Sequence, residues 1–302
     1  MYDVIVVGAG PAGLTAAIYL RRAEKKVLVL EAKSYGGQII NTLDIENYPG
    51  LFHVSGFDFA DKLYNQAKEL GVEFKFEKVI EVKNGKVKTV ITTKNKYKCK
   101  AVILATGSDN RKLSLDNEDN LIGRGISYCA TCDGAFYKGK KVAVVGGGNT
   151  AIDDALYLSD IVDKLYLIHR RDEFRADDKE VKLLKNKNNV EFILNSNIIK
   201  LYASDHLTSI DVKNINGEVK NIKVDGLFVA IGRIPENENF KNLVKVNNSG
   251  YIVSKDNCHT NKSGIFVAGD NREKEVRELV TATSDGAIAA IEAVKYIRNK
   301  EV

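Results

Sequence analysis

The stretch Val4-Ile5-Val6-Val7-Gly8-Ala9-Gly10-Pro11-Ala12-Gly13 decides the fold. A short apolar run enters a turn with GxGxxG spacing, and a helical pattern over residues 14–22 follows the turn. Strand, glycine turn and helix in this order are the context of a dinucleotide-binding fingerprint. The glycines allow a tight turn, let the backbone approach a pyrophosphate and let the helix pack closely, with its positive end facing the phosphates. The stretch therefore predicts a nucleotide-binding domain of the α/β class.

The same architecture occurs a second time further along the chain. Val142-Ala143-Val144-Val145-Gly146-Gly147-Gly148-Asn149-Thr150-Ala151 begins 138 residues after Val4, and eight of the 17 positions in residues 4–20 are identical in the copy. Each copy closes with a strand that ends in a similar turn, Ala105-Thr106-Gly107 in the first and Ala230-Ile231-Gly232 in the second. Chance is a poor explanation for this repeat, which predicts two Rossmann-like, doubly wound nucleotide-binding domains.

The residue that follows the second strand differs between the two copies. In the first copy the apolar run of residues 27–30 ends in Glu31, at the distance where an acid binds a ribose diol. The position 138 residues later opens the stretch His169-Arg170-Arg171-Asp172-Glu173-Phe174-Arg175, and arginines at this place accommodate a 2′-phosphate. The first domain should therefore hold a dinucleotide with a free ribose, and the second should hold NADPH. The alternative is an ordinary basic cluster at a strand end.

A pair of cysteines lies just before the second glycine turn, in Cys129-Ala130-Thr131-Cys132-Asp133. Two thiols at this spacing can close a small disulfide ring that accepts two electrons, and the adjacent carboxyl can supply or remove a proton. A structural zinc site needs about four ligands, and no second CxxC or HxxxH completes one, so we expect no metal. An inert structural disulfide is not expected in a reducing cytoplasm.

A further apolar run, Ser263-Gly264-Ile265-Phe266-Val267-Ala268-Gly269-Asp270, predicts another buried strand that stops at an acid. Asp270 is well placed for a ligand chain that is rich in hydroxyl groups. An alanine-rich helix from about Glu278 to Tyr296 follows, and its small residues suit either close approach to a flat cofactor or plain core packing.

Composition excludes several classes of protein. The chain has 302 residues, 44% of them hydrophobic and 28% charged, and a net charge of +5. These values are typical of a globular protein with two domains. No apolar stretch reaches the roughly 18 residues of a membrane span, and no secretory signal pattern is present, so we expect a cytoplasmic protein. The densest basic run, residues 94–100, alternates with polar side chains, and we expect no nucleic-acid binding.

Taken together, these motifs resemble those of the low-molecular-weight thioredoxin reductases over essentially the full chain. The matching pieces, in order, are Gly8–Gly13, Gly36-Gly37-Gln38, Glu46-Asn47-Tyr48-Pro49-Gly50, Ala105-Thr106-Gly107, Cys129–Asp133, Gly146–Ala151, His169–Ala176, Phe228–Gly232 and Gly269-Asp270. The resemblance implies an FAD domain of residues 1–112 and 239–302, into which an NADPH domain of residues 113–238 is inserted. The two crossings would form a hinge near Leu113 and Glu238, about which relatives rotate one domain. The resemblance also implies that the protein is a homodimer.

The resemblance assigns contacts to both cofactors. The residues that it implies for FAD are Gly8, Ala9, Gly10, Pro11, Ala12 and Gly13 at the pyrophosphate, Glu31 at the adenosine ribose, Gly36, Gly37 and Gln38 along the cofactor, Asn47 on the flavin side, the backbone of Val79 at the adenine, Gly269 and Asp270 at the ribityl chain, and Arg277, Glu278, Leu279 and Val280 beside the isoalloxazine. Those that it implies for NADPH are Gly146, Gly148, Asn149 and Thr150 in the turn, His169, Arg170, Arg171 and Arg175 at the 2′-phosphate, and Ile231 and Tyr251 along the nicotinamide nucleotide.

The resemblance also implies the reaction, in which electrons pass from NADPH to FAD, then to the Cys129–Cys132 disulfide, and finally to oxidised thioredoxin or a thioredoxin-like protein. Cys132 would face the flavin, Cys129 would attack the partner disulfide, and Asp133 would be the general acid/base. One departure concerns Glu278, because the family usually has glutamine there.

Two alternative functions remain open on the sequence. A relative that takes electrons from ferredoxin, or that oxidises a small dithiol with oxygen, tends to lack the second glycine turn and the arginines, which are intact here. A non-catalytic redox sensor would bind FAD and carry the dithiol, but would show no turnover.

Overall fold

The computed structural model describes residues 1–42 and 44–301 and divides the chain into two compact units. The first unit is Met1–Asp109 with Ile234–Val302, and the second is the intervening segment Asn110–Arg233. The second unit is thus inserted into the first. The crossings lie slightly earlier in the chain than Leu113 and Glu238, where the sequence placed them.

The strands and helices follow one another as the two repeats predict. The strands are β1 (Tyr2–Val7), β2 (Val27–Glu31), β3 (Glu73–Phe76), β4 (Val79–Lys83), β5 (Lys88–Thr92), β6 (Lys96–Leu104), β7 (Ser108–Asn110), β8 (Ile126–Ser127), β9 (Lys141–Gly146), β10 (Lys164–Ile168), β11 (Val190–Ile193), β12 (Ser196–Ala203), β13 (Leu207–Asn214), β14 (Val219–Lys223), β15 (Gly226–Ala230), β16 (Arg233–Pro235) and β17 (Ile265–Val267). The α-helices are α1 (Pro11–Arg22), α2 (Gly56–Glu69), α3 (Glu118–Leu121), α4 (Ala130–Asp133), α5 (Asn149–Ser159), α6 (Asp178–Lys185) and α7 (Leu279–Glu301). Short 3₁₀ helices cover Gly37–Asn41, Gly134–Tyr137 and Glu238–Phe240.

The first unit is built on a parallel sheet of order β3-β2-β1-β6-β17. The amino-terminal half of β6 also pairs antiparallel with β5, which pairs with β4. Strand β1 is buried on both faces over Val4–Val7, which explains its continuous apolar sequence. Helix α1 begins at Pro11, whose fixed φ suits the first helical position, and Arg21 and Arg22 in its last turn complement the helix dipole.

Different layers cover the two faces of this sheet. Alternate residues of the parallel strands pack against α1 and α7 on one face, and the others pack against apolar residues of β4, β5 and the segment 240–252 on the opposite face. Helices therefore lie on one face and antiparallel strands on the other. The sequence patterns do not predict this second covering layer.

The second unit repeats this plan with a parallel sheet of order β11-β10-β9-β15-β8. Helices α5 and α6 pack on one face, and the antiparallel sheet β12-β13-β14 packs on the other. The α/β class with two Rossmann-like nucleotide-binding folds is thereby confirmed. Among the described residues, no helix combines the length and the apolar character that a membrane crossing requires.

The two sheets differ in where their edge strand comes from. In the first unit β17 enters after all the other sheet strands, whereas in the second unit β8 enters before them. Both are parallel to their neighbours, so both end at the carboxyl edge, where ligands bind in α/β sheets. Strand β17 leads into Gly269-Asp270, and β8 leads into the Cys129–Asp133 segment. The predicted cofactor acid and the predicted dithiol thus occupy corresponding places in their own units.

Candidate functional site

The first glycine turn lies at the carboxyl end of β1 and is packed so tightly that side chains are excluded. Gly8 has a φ of 107°, and a Cβ there would lie 2.2 Å from the Ala105 carbonyl oxygen. A Cβ on Gly13 would lie 1.9 Å from the Gly8 carbonyl oxygen. Gly10, by contrast, precedes the first turn of α1, and the nearest atom to a Cβ there is Gly37 Cα at 3.9 Å. Gly8 and Gly13 are needed by the fold itself, whereas Gly10 leaves open space at the helix N-terminus.

Glu31 and the Gly36-Gly37 segment complete the wall of this turn. The Ala9 N–H donates to Glu31 Oε2 at 2.8 Å, and the Gly36 N–H donates to the Ala9 carbonyl at 2.8 Å. A Cβ on Gly37 would lie 3.2 Å from Gly10 Cα, so bare backbone of two segments meets here. Backbone without side chains beside a helix N-terminus, with a carboxylate at the end of β2, fits the pyrophosphate and ribose of a dinucleotide.

Other residues predicted to contact FAD also lie in the first unit, each with a defined partner. Gln38 Nε2 donates to Asp109 Oδ1. Asn47 Nδ2 lies 3.4 Å from Glu278 Oε2. The structure therefore joins Asn47 to Glu278, which is the residue that departs from the family pattern.

The remaining predicted contacts of this unit are distributed over β4, β17 and α7. Val79 is buried in β4, where its carbonyl accepts a hydrogen bond from Asn239 Nδ2 at 3.0 Å. Gly269 and Asp270 follow β17, and Leu279 and Val280 begin α7. The Arg277 guanidinium lies 4.2 Å from the centre of the Tyr251 ring. Tyr251, predicted to line the nicotinamide nucleotide, thus lies in the first unit.

Sequence reasoning missed a group of charged residues behind the Gly269–Asp270 turn. Asp285 of α7, with an exposed fraction of only 4%, accepts hydrogen bonds from Gly269, Arg272 and Lys274. The available signal was the acid Asp285 in the alanine-rich, small-residue part of the helix. Such an acid cannot face an apolar core without partners.

The second glycine turn repeats the first at the carboxyl end of β9. A Cβ on Gly146 would lie 2.3 Å from the Ala230 carbonyl oxygen. Gly148 is the N-cap of α5, and in the described part of the chain no atom apart from its own chain neighbours lies within 4 Å of a Cβ there. Asn149 and Thr150 are exposed in the first turn of α5, and Ile231 follows β15. The open position again lies at the helix N-terminus, as in the first unit.

His169 and the arginines beside it occupy different environments. The His169 ring is buried against Gly147, where a Cβ would lie 2.1 Å from the ring, and it stacks on Phe174. Burial lowers the pKa of His169, and the three neighbouring arginines lower it further, against a raising hydrogen bond with the Glu173 carbonyl. The imidazole is therefore a packing group without charge at neutral pH, although the sequence grouped it with the phosphate-binding arginines.

The three arginines form an exposed cationic cluster. Arg170, Arg171 and Arg175 are all exposed, and among residues 1–42 and 44–301 none of them has a salt-bridge partner. The Arg175 N–H donates to the Gly147 carbonyl at 2.8 Å, which ties this cluster to the second glycine turn. An unpaired cluster of guanidinium groups at this place suits a phosphate.

The two cysteines of the CxxC segment are joined as the disulfide Cys129–Cys132. The segment begins directly after β8 and continues into α4, so it lies at the carboxyl edge of the second sheet. The Cys132 N–H donates to Cys129 Sγ at 3.2 Å. The other two cysteines, Cys99 and Cys258, are buried, and burial raises the pKa of each thiol to about 12. Their thiols are therefore not reactive at neutral pH.

A half-buried carboxyl group, that of Asp133, accompanies the disulfide. Ser127 Oγ donates to Asp133 Oδ2 at 2.6 Å and accepts from the Cys129 N–H at 3.1 Å. Burial raises the pKa of Asp133, and the hydrogen bond from Ser127 partly opposes this rise. A carboxyl with a raised pKa, one residue from a sulfur of the disulfide, can hold a proton for that sulfur. Ser127 is a second residue to which sequence reasoning assigned no role.

The chain is similar to known proteins over nearly its whole length. Residues 2–286 match the family described as "Pyridine nucleotide-disulphide oxidoreductase". The chain is 42% identical over 300 residues to the thioredoxin reductase of Listeria monocytogenes, with 98% of this chain and 94% of that protein covered. It is 41% identical over 302 residues to the thioredoxin reductase of Bacillus subtilis, with 98% and 95% covered. The crystal structure of thioredoxin reductase from Streptococcus pyogenes matches with a TM-score of 0.94 and 37% identity, and 99% of each chain is covered.

Proposed function

The chain belongs to the pyridine nucleotide-disulphide oxidoreductase family, and from this membership we propose that it is an NADPH-dependent thioredoxin-disulfide reductase with FAD as its cofactor. The observation that carries the proposal is the Cys129–Cys132 disulfide at the carboxyl edge of a nucleotide-binding fold, in a chain that matches thioredoxin reductases over nearly its whole length. The overall reaction balances as NADPH, one proton and oxidised thioredoxin giving NADP⁺ and reduced thioredoxin.

We assign FAD to the first unit. Its pyrophosphate would lie at the open backbone of residues 8–13, its adenosine ribose at Glu31 and its ribityl chain at Asp270. The close approach of Gly10 and Gly37 supports this assignment, because larger residues would fill the space that a pyrophosphate needs. When bound, FAD supplies a two-electron carrier between the nicotinamide and the disulfide.

We assign NADPH to the second unit. The open position at Gly148 would receive the pyrophosphate, and the exposed guanidinium groups of Arg170, Arg171 and Arg175 would hold the 2′-phosphate. Burial of the His169 ring and its lowered pKa support a packing role for this residue, so the positive charge would come from the arginines alone. A phosphate held by several guanidinium groups gives a preference for NADPH over NADH.

The dithiol and Asp133 would carry out the exchange with thioredoxin. The hydrogen bond from the Cys132 N–H favours a thiolate at Cys129 Sγ, which supports Cys129 as the group that attacks the partner disulfide. Cys132 would then displace thioredoxin by attacking Cys129 Sγ, which regenerates the intramolecular disulfide. Asp133, with its raised pKa and its link to Ser127, would hold the proton that this exchange requires. We also propose a cytoplasmic location, because a disulfide reductase that uses NADPH suits a compartment in which thiols are kept reduced. From the resemblance to its family, we further propose that the protein is a homodimer.

The proposal is tested by replacing each sulfur of the dithiol. Cys129→Ser and Cys132→Ser should each abolish NADPH-dependent reduction of thioredoxin, because neither serine can form the disulfide, while FAD content stays at the wild-type level. Cys99→Ala, which removes a buried thiol of the first unit, is the matched control and should retain activity. The measurement is steady NADPH oxidation coupled to thioredoxin. Near wild-type turnover by either serine variant, or a single reduction event without turnover by the wild type, would refute the proposal.

A further inference from the structure

A buried carboxylate of the last helix binds the turn that carries the predicted ribityl-binding acid. Asp285 Oδ2 accepts hydrogen bonds from the Gly269 N–H at 3.0 Å, from Arg272 Nε at 2.9 Å and from Lys274 Nζ at 3.1 Å. Asp285 Oδ1 accepts a further one from Arg272 Nη2 at 3.2 Å. One side chain therefore binds the backbone just before Asp270 and also two cations that follow it.

The position of Asp285 is fixed by close packing of α7 on α1. The next residue is Gly286, where a Cβ would lie 2.2 Å from the Ala12 carbonyl oxygen, so α7 approaches the first glycine turn as closely as backbone allows. Gly269 has a φ of 85°, and a Cβ there would lie 2.9 Å from Ala12 Cβ. Asp285 thus holds the Gly269–Asp270 turn against the helix whose N-terminus faces the proposed pyrophosphate.

Lys274 connects the two carboxylates. Its Nζ lies 3.1 Å from Asp285 Oδ2 and 3.5 Å from Asp270 Oδ1, and its side chain is mostly buried, with 9% exposed. Two acids share this cation, so the charge on Asp285 limits how strongly Lys274 binds Asp270. Without the charge on Asp285, Lys274 would pair more strongly with Asp270 and would compete more strongly with any ligand for that carboxylate.

We propose that Asp285 is a positioning residue of the FAD site, which presets the Gly269–Asp270 turn and, by sharing Lys274, weakens the binding of this cation to the Asp270 carboxylate. The inference rests on the proposed FAD cofactor and adds a residue that contacts the turn and the two cations that follow it. It acts through two separable contacts, a hydrogen bond to the Gly269 amide and a charge opposite Lys274.

The charge contact is tested with Asp285→Asn, which keeps the shape and an acceptor for the Gly269 amide. The apoprotein of this variant should bind FAD about tenfold more weakly or worse, because a charge-assisted contact is lost at Lys274. Asp285→Asn combined with Lys274→Met should recover FAD affinity to within about threefold of wild type, because the competing cation is gone. Glu292→Gln, which removes a carboxylate of the same helix that pairs with His259 and Lys295, is the matched control. FAD dissociation constants come from quenching of flavin fluorescence, and urea unfolding of each apoprotein reports its stability.

Distinct outcomes separate the inference from the proposed function. Wild-type apoprotein that does not bind FAD refutes the proposed function. Wild-type protein that binds FAD, together with an unchanged dissociation constant in folded Asp285→Asn, refutes only the positioning role. If the double variant still binds FAD about tenfold more weakly than wild type, competition by Lys274 is refuted. Because the double variant is compared directly with wild type, this result can be read even if Asp285→Asn alone does not fold. In wild-type apoprotein the Gly269 amide should exchange its hydrogen slowly before FAD is added, and fast exchange would refute a preset turn.

Discussion

At the scale of single residues, burial decides how the ionisable groups of the second unit behave. Asp133 is half-buried in the segment of the disulfide, and its partial burial raises its pKa, which favours the protonated carboxyl. His169 is buried against Gly147, and the lowered pKa of its ring favours the neutral imidazole. The arginines Arg170, Arg171 and Arg175 that follow His169 are exposed to solvent. Burial thus distinguishes Asp133 and His169 from the exposed arginines that follow His169.

Asp133→Asn should slow thioredoxin reduction by roughly 10²- to 10⁴-fold, the usual contribution of a general acid or base. The variant should also change how stability depends on pH. Because folding raises the pKa of Asp133 above its ordinary value of 3.8, the contribution of this carboxyl to stability is complete below that value and is lost as pH rises through the folded-state pKa. The amide of the variant does not titrate. As pH rises, the free energy of unfolding of the wild type should therefore fall relative to that of Asp133→Asn.

Urea unfolding of the oxidised protein between about pH 4 and about pH 8 measures this change. Asp205→Asn, at an exposed aspartate of the same unit, is the control and should follow the wild type at every pH. A difference between Asp133→Asn and wild type that is the same at all pH values would contradict the assigned role of burial.

Arg171→Ala and Arg175→Ala should each raise the KM for NADPH by about tenfold or more, because a charge-assisted contact with the 2′-phosphate is lost. The KM for NADH should not change, since NADH has no phosphate there. Lys182→Ala removes an exposed cation from α6 and should leave both constants unaltered. Steady-state kinetics with both nucleotides provide the measurement, and an equal loss for NADPH and NADH would count against the assignment.

At the scale of elements, the glycines of each turn differ in the space that surrounds them. The first and last glycines of the first turn are excluded from carrying a Cβ by backbone of the same unit. The middle glycine of each fingerprint, Gly10 or Gly148, opens toward free space at a helix N-terminus. Glycine is therefore required at some positions of the motif by backbone packing, whereas at the middle position it leaves open space.

We consequently expect Gly13→Ala to reduce stability and Gly10→Ala to reduce FAD binding. Gly13→Ala should lower the free energy of unfolding of the apoprotein, although alanine favours helices by about 1 kcal/mol, because its Cβ would collide with the Gly8 carbonyl. Gly10→Ala should leave the apoprotein as stable as wild type and should weaken FAD binding, because the methyl group occupies the space proposed for the pyrophosphate.

Urea unfolding of the apoproteins and FAD titration separate the two effects. Gly148→Ala, at the matching open position of the second unit, should leave FAD binding unchanged and weaken binding of NADP⁺ instead. A Gly10→Ala protein that binds FAD as tightly as wild type would exclude the open turn as the pyrophosphate site.

At the scale of the whole molecule, one plan of sheet and covering layers occurs twice, once in each compact unit. The two crossings of the chain pair with each other as β7 and β16. The edge strand comes from the end of the chain in the first unit and from the start of the insertion in the second. The same carboxyl-edge position therefore carries Asp270 in one unit and the Cys129–Cys132 disulfide in the other.

Each nucleotide should accordingly protect its own unit from hydrogen exchange, because a ligand stabilises the region that binds it. Adding FAD to apoprotein should slow amide exchange in the glycine turn of residues 8–13 and in residues 269–270. Adding NADP⁺ should slow exchange in residues 146–151 and 169–175. Mass spectrometry of peptides after exchange provides the measurement, and FAD protection confined to the second unit would reverse the proposed assignment.

The amino-acid sequence by itself determined the two nucleotide-binding folds, the glycine turns, the dithiol and the arginine cluster, because each is a local pattern with fixed spacing. The tertiary structure alone decided what depends on residues far apart in the chain. Antiparallel strands cover the second face of each sheet, the His169 ring packs against Gly147, and Asp285 binds the Gly269 amide. None of these can be read from spacing, because burial and partners are set by packing between elements.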